Sequence, residues 1–299
     1  MRSAPAGKCE GDRPVSMIRR HFLAGMTASG LALPTLAMAR SAPFRFGLTP
    51  VFLDNDWQLL DLIRQHVQSE MGAEVEFIQR RTYKEVVALL LMGELDAAWL
   101  CGYPLLQNPD RLVALALPVW RGEPLYRSYL IVRPDRQVER LADLRGDIHA
   151  YSDPDSNSGY LVTISEILAL DARPESFFSR SFFTNGHRNV VRSVAHGLAR
   201  SGSVDGYVWE ALTQIEPDLA AQTRVLWQSE PFGFPPLVVT REAMQTPRSR
   251  GFAEALARME HTDQGRRALD LLQLDGFVPP QPDSFDSIAA RMRMVAERG

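Results

Sequence analysis

Tyr151-Ser152-Asp153-Pro154-Asp155-Ser156-Asn157-Ser158-Gly159-Tyr160 carries a turn-forming residue at nearly every position and lies between a short apolar run and Leu161-Val162-Thr163-Ile164-Ser165-Glu166-Ile167-Leu168. The apolar spacing of that second segment suits a buried helix, so the stretch reads as a strand-loop-helix junction. The first backbone N–H groups of a helix lack internal partners, and the macrodipole adds partial positive charge there, which favours an oxyanion. Ser156 and Ser158 add hydroxyl donors, and Gly159 admits a ligand close to the backbone. Ser and Asn are equally suited to an N-cap that binds nothing.

Upstream, Phe44-Arg45-Phe46-Gly47-Leu48 reads as a short strand, and Trp57, Leu60, Ile63 and Val67 share one helical face. Ala73 to Ile78 alternates like a strand. Thr82-Tyr83-Lys84-Glu85 is a capping box at the head of an apolar helix that ends near Gly93. This βαβα alternation predicts mainly parallel sheets with helices on both faces. Asp96 to Leu100 is the next buried strand, and it delivers Cys101, Gly102 and Tyr103 to its C-terminal edge, where open α/β sheets gather ligands.

Downstream, Phe182-Phe183-Thr184-Asn185-Gly186-His187 leads into a helix beginning near His187, with Val190, Val191, Val194 and Leu198 as its apolar face. A cationic histidine is disfavoured at a helix start, but an anionic ligand in contact reverses that balance. Tyr207, Trp209 and Glu210 follow another strand end and are candidates for setting selectivity; core packing suits both aromatics as well. Two extended segments, Tyr126 to Arg133 and Pro235 to Thr240, suit a chain that crosses twice between lobes.

The first 39 residues read as an export signal. Arg19 and Arg20 open a basic region, Ala24 to Leu36 is weakly apolar, and Ala37-Met38-Ala39 is a small-x-small cleavage site. The Arg19-Arg20-x-Phe-Leu order resembles the twin-arginine type, without the usual Ser or Thr ahead of the pair. The apolar run is too short for a bilayer, which needs about 20 residues. Removing residues 1–39 takes five of the 33 basic and two of the 36 acidic residues, leaving 28 against 34, a net charge of −6. That charge argues against a nucleic-acid partner. Cys9 leaves with the signal, so Cys101 is the single thiol of the mature chain and has no internal disulfide partner.

Asp153-Pro154-Asp155-Ser156-Asn157-Ser158-Gly159-Tyr160 resembles the Asp-Pro-x-Ser-x-Ser-Gly-Tyr segment of the phosphate/phosphonate/phosphite-type periplasmic solute-binding proteins, and the similarity extends from about Phe44 to the C-terminus. Leu95 to Tyr103 resembles the strand after which that family's residues face the ligand. Tyr83 matches a tyrosine that reaches the ligand's oxygens, and His187 matches a histidine that donates to them. The resemblance implies an α/β, two-lobed periplasmic binding protein of type 2, each lobe a mostly parallel sheet flanked by helices. It places lobe 1 at 40–127 with 231–299 and lobe 2 at 128–230. Its implied binding set is Tyr83, Cys101, Gly102, Tyr103, Ser156, Asn157, Ser158 and His187, with no cofactor. The expected ligand is a small oxyanion, the expected partner a membrane ABC permease, the location the periplasm and the state a monomer.

Asn157 stands where phosphonate binders often carry Thr, and a thiol is a poor donor to hard oxygens. Cys101 on that point resembles the family's arsenite-sensing members, which signal to a membrane histidine kinase; Cys101 is then the arsenic ligand through soft sulfur. A small buried hydrophobe is the other reading of the same residue. A third class is an enzyme with Cys101 as nucleophile and His187 as base, which lacks a third residue to orient the pair.

Overall fold

The computed structural model describes residues 42–49 and 57–299, so the export signal lies outside the described residues. The first segment runs β1 (Phe44–Leu48), α1 (Trp57–Met71), β2 (Val75–Gln79), α2 (Tyr83–Leu91), β3 (Ala97–Trp99), α3 (Gly102–Leu106), β4 (Leu112–Val119) and the short β5 (Leu125–Tyr126). The middle segment begins with β6 (Ser128–Val132) and β7 (Ile148–Tyr151), then a π-helical turn (Asn157–Leu161) that continues into α4 (Val162–Ala169). It goes on through α5 (Pro174–Phe177), β8 (Arg180–Phe183), α6 (His187–Ala195), β9 (Ser201–Asp205), α7 (Gly206–Ile215), α8 (Pro217–Ala220) and β10 (Arg224–Gln228). The chain returns by β11 (Phe232–Gly233) and β12 (Leu237–Thr240) to α9 (Pro247–Ala257), α10 (Asp263–Leu272), β13 (Gly276–Val278) and α11 (Asp286–Arg298).

Two sheets result, one per lobe: β13-β4-β12-β3-β1-β2 and β10-β6-β9-β7-β8. The βα units give parallel pairs, β1 with β2 and β3, and β7 with β8 and β9. The strands entered from a crossing, β6 and β12, run antiparallel to their neighbours, so both sheets are mixed. Apolar rings hold the first sheet to its helices: Phe252 of α9 lies 4.7 Å from Phe44 and 5.1 Å from Phe46. Two face assignments differ from the expected ones. Trp57 is 78% exposed because Leu59, Leu62, Ile63 and Val67 form the buried stripe of α1. Leu198 is 68% exposed because α6 ends at Ala195, one turn short of it.

The crossing between lobes is a two-stranded ladder, with Phe232 opposite Tyr126 and Gly233 opposite Leu125. Ser229 locks it, accepting from Ser128 N through Oγ at 2.9 Å and donating its own N–H to Ser128 O at 3.0 Å. The segment Pro235 to Thr240 is therefore past the crossing, and its β12 is an interior strand of the first sheet. The C-terminal α11, expected simply to complete lobe 1, touches both lobes. Its Arg291 donates to Ser165 Oγ at 2.8 Å, to the Glu166 carboxylate of α4, and to Glu230 beside the crossing at 2.6 Å.

Candidate functional site

Five helices begin at one place, and the sequence dictates each start. Thr82 accepts from Glu85 N at 3.2 Å while Glu85 accepts from Thr82 N at 3.1 Å, a closed capping box that puts Tyr83 at the first helical position. Ser156 Oγ accepts from Gly159 N at 3.0 Å, so Ser156 does serve as a cap. The turn it caps is π-helical, a form found often at functional sites. A Cβ at Gly159 would fall 1.8 Å from Ser152 Oγ, which leaves glycine the one residue that fits. Gly102, His187 and Gly206 open α3, α6 and α7. Asp205 caps the last of these, accepting from Tyr207 N at 2.9 Å and Val208 N at 3.3 Å.

These starts meet across the lobes. Tyr83 N donates to Asp153 Oδ2 at 3.3 Å, and Asn157 N donates to Cys101 Sγ at 3.2 Å. Asn157 Nδ2 donates to the Tyr126 hydroxyl at 3.0 Å, and Ser128 Oγ to Ser158 O at 2.7 Å. Tyr83, Cys101, Ser156, Asn157, Ser158 and His187 are all buried to 2% exposure or less, so none of them faces bulk water. Tyr83 Oη, Ser152 Oγ and Asn157 Oδ1 are buried without a hydrogen-bond partner among the described residues. An unpaired buried polar atom costs about 1–3 kcal/mol, so three in one cleft between lobes mark a binding site more than a packing fault.

The local charges are neutral or weakly negative. His187 Nδ1 accepts from Asp205 N at 3.0 Å, which puts the ring proton on Nε2. Burial pushes that imidazole down to about 3, so His187 offers a neutral N–H and not a cation. Burial likewise pushes the Cys101 thiol up to about 11 and the Asp205 carboxyl up to about 7. Positive potential at this point comes from the helix starts, because no arginine or lysine side chain bonds to this cluster among the described residues.

Residues 46–285 match the family model of the ABC transporter, phosphonate, periplasmic substrate-binding protein. The chain belongs to this family. It is 23% identical over 224 residues to the phosphate-import protein PhnD of Mycolicibacterium smegmatis, covering 70% of each chain. Among solved structures, a binding-protein component of an ABC phosphonate transporter from Pseudomonas aeruginosa matches with a TM-score of 0.75 at 19% identity, over 86% of this chain and 89% of that one. PhnD1 of Prochlorococcus marinus in complex with methylphosphonate matches with a TM-score of 0.73 at 16% identity, over 85% of this chain and 98% of that one.

Within this phosphonate-type binding protein, several expected site residues have other work. The Tyr207 hydroxyl donates to Leu272 O at 2.6 Å, and its ring packs on Phe234 at 5.1 Å, so it ties the lobes together instead of lining the cleft. Trp209 Nε1 donates to Thr223 Oγ1 at 3.0 Å. Glu210 accepts from the Tyr129 hydroxyl and from Arg121, both at 3.1 Å. Gly102 packs against α11, since a Cβ there would lie 2.6 Å from Ile288 Cδ1, which would have to shift. Tyr103 is half-buried beside Gln107, within the electrostatic reach of Asp155, Tyr160 and Cys101. Sequence reasoning passed over Ser152, Asp153, Tyr126 and Asp205 as site residues. For Asp205 the signal was present: an Asp-Gly pair at the end of a strand and the start of a helix is an N-cap pattern.

Proposed function

We propose that this protein captures a small phosphorus oxyanion of the phosphonate, phosphite or phosphate type between its lobes and presents it to a membrane ABC permease. The observation that carries the reading is the pair of unpaired buried hydroxyl donors, Tyr83 Oη and Ser152 Oγ, set where helix starts from both lobes converge; the unpaired Asn157 Oδ1 beside them is an acceptor, suited to an O–H of a protonated ligand. A tetrahedral oxyanion accepts from Tyr83 Oη, Ser152 Oγ, the Ser158 hydroxyl, His187 Nε2 and the free N–H groups of the serine turn. Micromolar affinity needs about 8 kcal/mol, which several charge-assisted hydrogen bonds in a dry cleft supply. Residues 40–127 and 231–299 form one lobe and 128–230 the other in this reading, with 1–39 removed on export to the periplasm and a monomer as the working unit. The sheet memberships of β1 to β4 and of β6 to β10 support those boundaries.

Cys101 fits a hydrogen-bonding part better than an arsenic ligand or a nucleophile. Its thiol is held protonated at neutral pH, and its sulfur already accepts from Asn157 N. The neutral His187 has Nδ1 engaged by Asp205 N, so it is not free to act as a base through that atom. The test is calorimetric titration with phosphate, phosphite, methylphosphonate and arsenite, on wild type and on Tyr83→Phe. Loss of one hydrogen bond to a charged ligand costs about 1.5–3 kcal/mol, so Tyr83→Phe weakens the best phosphorus ligand by about tenfold or more while the protein stays folded. Equal affinity in the variant removes Tyr83 from the site. Binding of arsenite alone, lost in Cys101→Ser, replaces the phosphorus reading by the metalloid sensor.

A further inference from the structure

Beside the buried site the two lobes enclose a recess of about 300 Å³, lined by Leu48, Thr49, Gln79, Arg80 and Arg81 from one lobe and by Thr184, Asn185 and Asn189 from the other. Its position follows from the chain: Arg81 is two residues before Tyr83, and Asn185 is two residues before His187. Its volume is that of a small-molecule pocket and exceeds what the oxyanion itself needs. Among the described residues, neither Arg80 nor Arg81 forms an ion pair with a carboxylate, and both are exposed. Arg80 Nη1 donates to Gln79 O at 2.8 Å, which holds its guanidinium at the end of β2. Across the recess, Thr184 Oγ1 is bonded to Tyr151 O and Gly186 O, and Asn189 Nδ2 to Thr184 O. That rim is therefore fixed, with Asn185 held at φ 54° in the left-handed region.

We infer that this recess holds the substituent of the ligand and that the substituent is anionic, so that the protein takes a phosphonate or phosphate ester bearing a second negative group. This rests on the oxyanion reading above and specifies its ligand class. The lining decides the chemistry. Among the described residues, a cationic substituent finds two guanidiniums and no carboxylate there. Among the described lining residues, an apolar one finds Leu48 alone among amides, hydroxyls and charges. A carboxylate or second phosphate finds two arginine forks whose geometry matches it. The bare oxyanion leaves both forks unused.

Titration calorimetry with methylphosphonate, phosphonoacetate and 2-aminoethylphosphonate tests this on wild type and on Arg80→Gln/Arg81→Gln. The expected wild-type order is phosphonoacetate first, tighter than methylphosphonate by about tenfold, with 2-aminoethylphosphonate weakest. In the double variant the ratio between phosphonoacetate and methylphosphonate falls towards one. Methylphosphonate or 2-aminoethylphosphonate bound as tightly as phosphonoacetate by wild type overturns the anionic substituent and leaves the oxyanion reading standing. A preference that survives in the double variant overturns the assignment to these arginines. No binding of any phosphorus probe overturns this inference together with the oxyanion reading beneath it.

Discussion

Asp205 is 1% exposed and anchors α7, and it lies in the electrostatic field of Tyr83, Cys101 and Tyr126. Burial raises its carboxyl to about 7, so near neutral pH the cleft alternates between a protonated carboxyl and a carboxylate that repels an anion. Comparing wild type with Asp205→Asn isolates this effect, because the ligand's own titration cancels in the ratio of the two dissociation constants. Below the raised value both side chains are neutral and the ratio is flat. Above it the wild type weakens relative to Asp205→Asn, approaching about tenfold per pH unit. A ratio that stays constant from about pH 6 to about pH 8.5 would mean that Asp205 acts on α7 alone. Residue type and position were enough to put Ser156, Asn157 and Ser158 together on one buried turn at a helix start. They misplaced Tyr207, Trp209 and Glu210 because a helix start rotates each successive side chain by about 100°, so neighbours in sequence leave the cleft in different directions.

At the scale of elements, local chemistry was legible and partnership was not. The capping box at Thr82 and Glu85 and the valines after His187 mark where α2 and α6 begin, since caps and periodicity are written in adjacent residues. The role of α11 is written nowhere near itself. Its Arg291 side chain is 13% exposed, and its partners Glu166 and Glu230 are 25% and 41% exposed. Because Glu166 lies on the second lobe's α4, this fork ties α11 to that lobe, and a latch on lobe closure is the role the variant tests. Arg291→Met keeps the stem's packing and removes the fork. The expected loss is about 1–2 kcal/mol in urea denaturation, given the partial exposure of both partners. Ligand affinity falls as the closed form loses population, and small-angle scattering of the ligand-free variant shows a larger radius of gyration. Unchanged affinity and unchanged scattering would make α11 a passive cover.

For the whole molecule, the α/β class and the two lobes were legible because period-2 and period-3.6 patterns alternate along the chain. The strand order was not, because a crossing inserts β12 between β3 and β4 from more than a hundred residues away. Among the groups the fold buries, His149, His187 and Asp205 act on acid stability with opposing signs, and Asp153, also buried and raised, acts on the side of Asp205. His149 is wedged under the second sheet, Nδ1 against Ser201 Oγ at 2.9 Å and Nε2 against Ser203 Oγ at 2.8 Å, stacked on Phe178 at 4.1 Å. Burial pushes His149 and His187 from 6.5 down to about 3, and pushes Asp205 from 3.8 up to about 7. As pH falls from about 6.5 to about 4, unfolding exposes two imidazoles that take up protons and one carboxyl that releases one. The histidines therefore remove stability on acidification while Asp205 adds it, and these three groups together leave a net uptake near one proton. That slope is about 1.4 kcal/mol lost per pH unit. Asp205→Asn removes the opposing proton, so the variant loses stability about twice as steeply over the same window; relative to wild type it gains as pH rises towards about 7, and above that, where Asp205 is ionised in both states, the difference is constant. Urea denaturation of the two ligand-free proteins across that window reads both slopes. A variant slope equal to or shallower than that of wild type would show that Asp205 is not the group opposing the histidines.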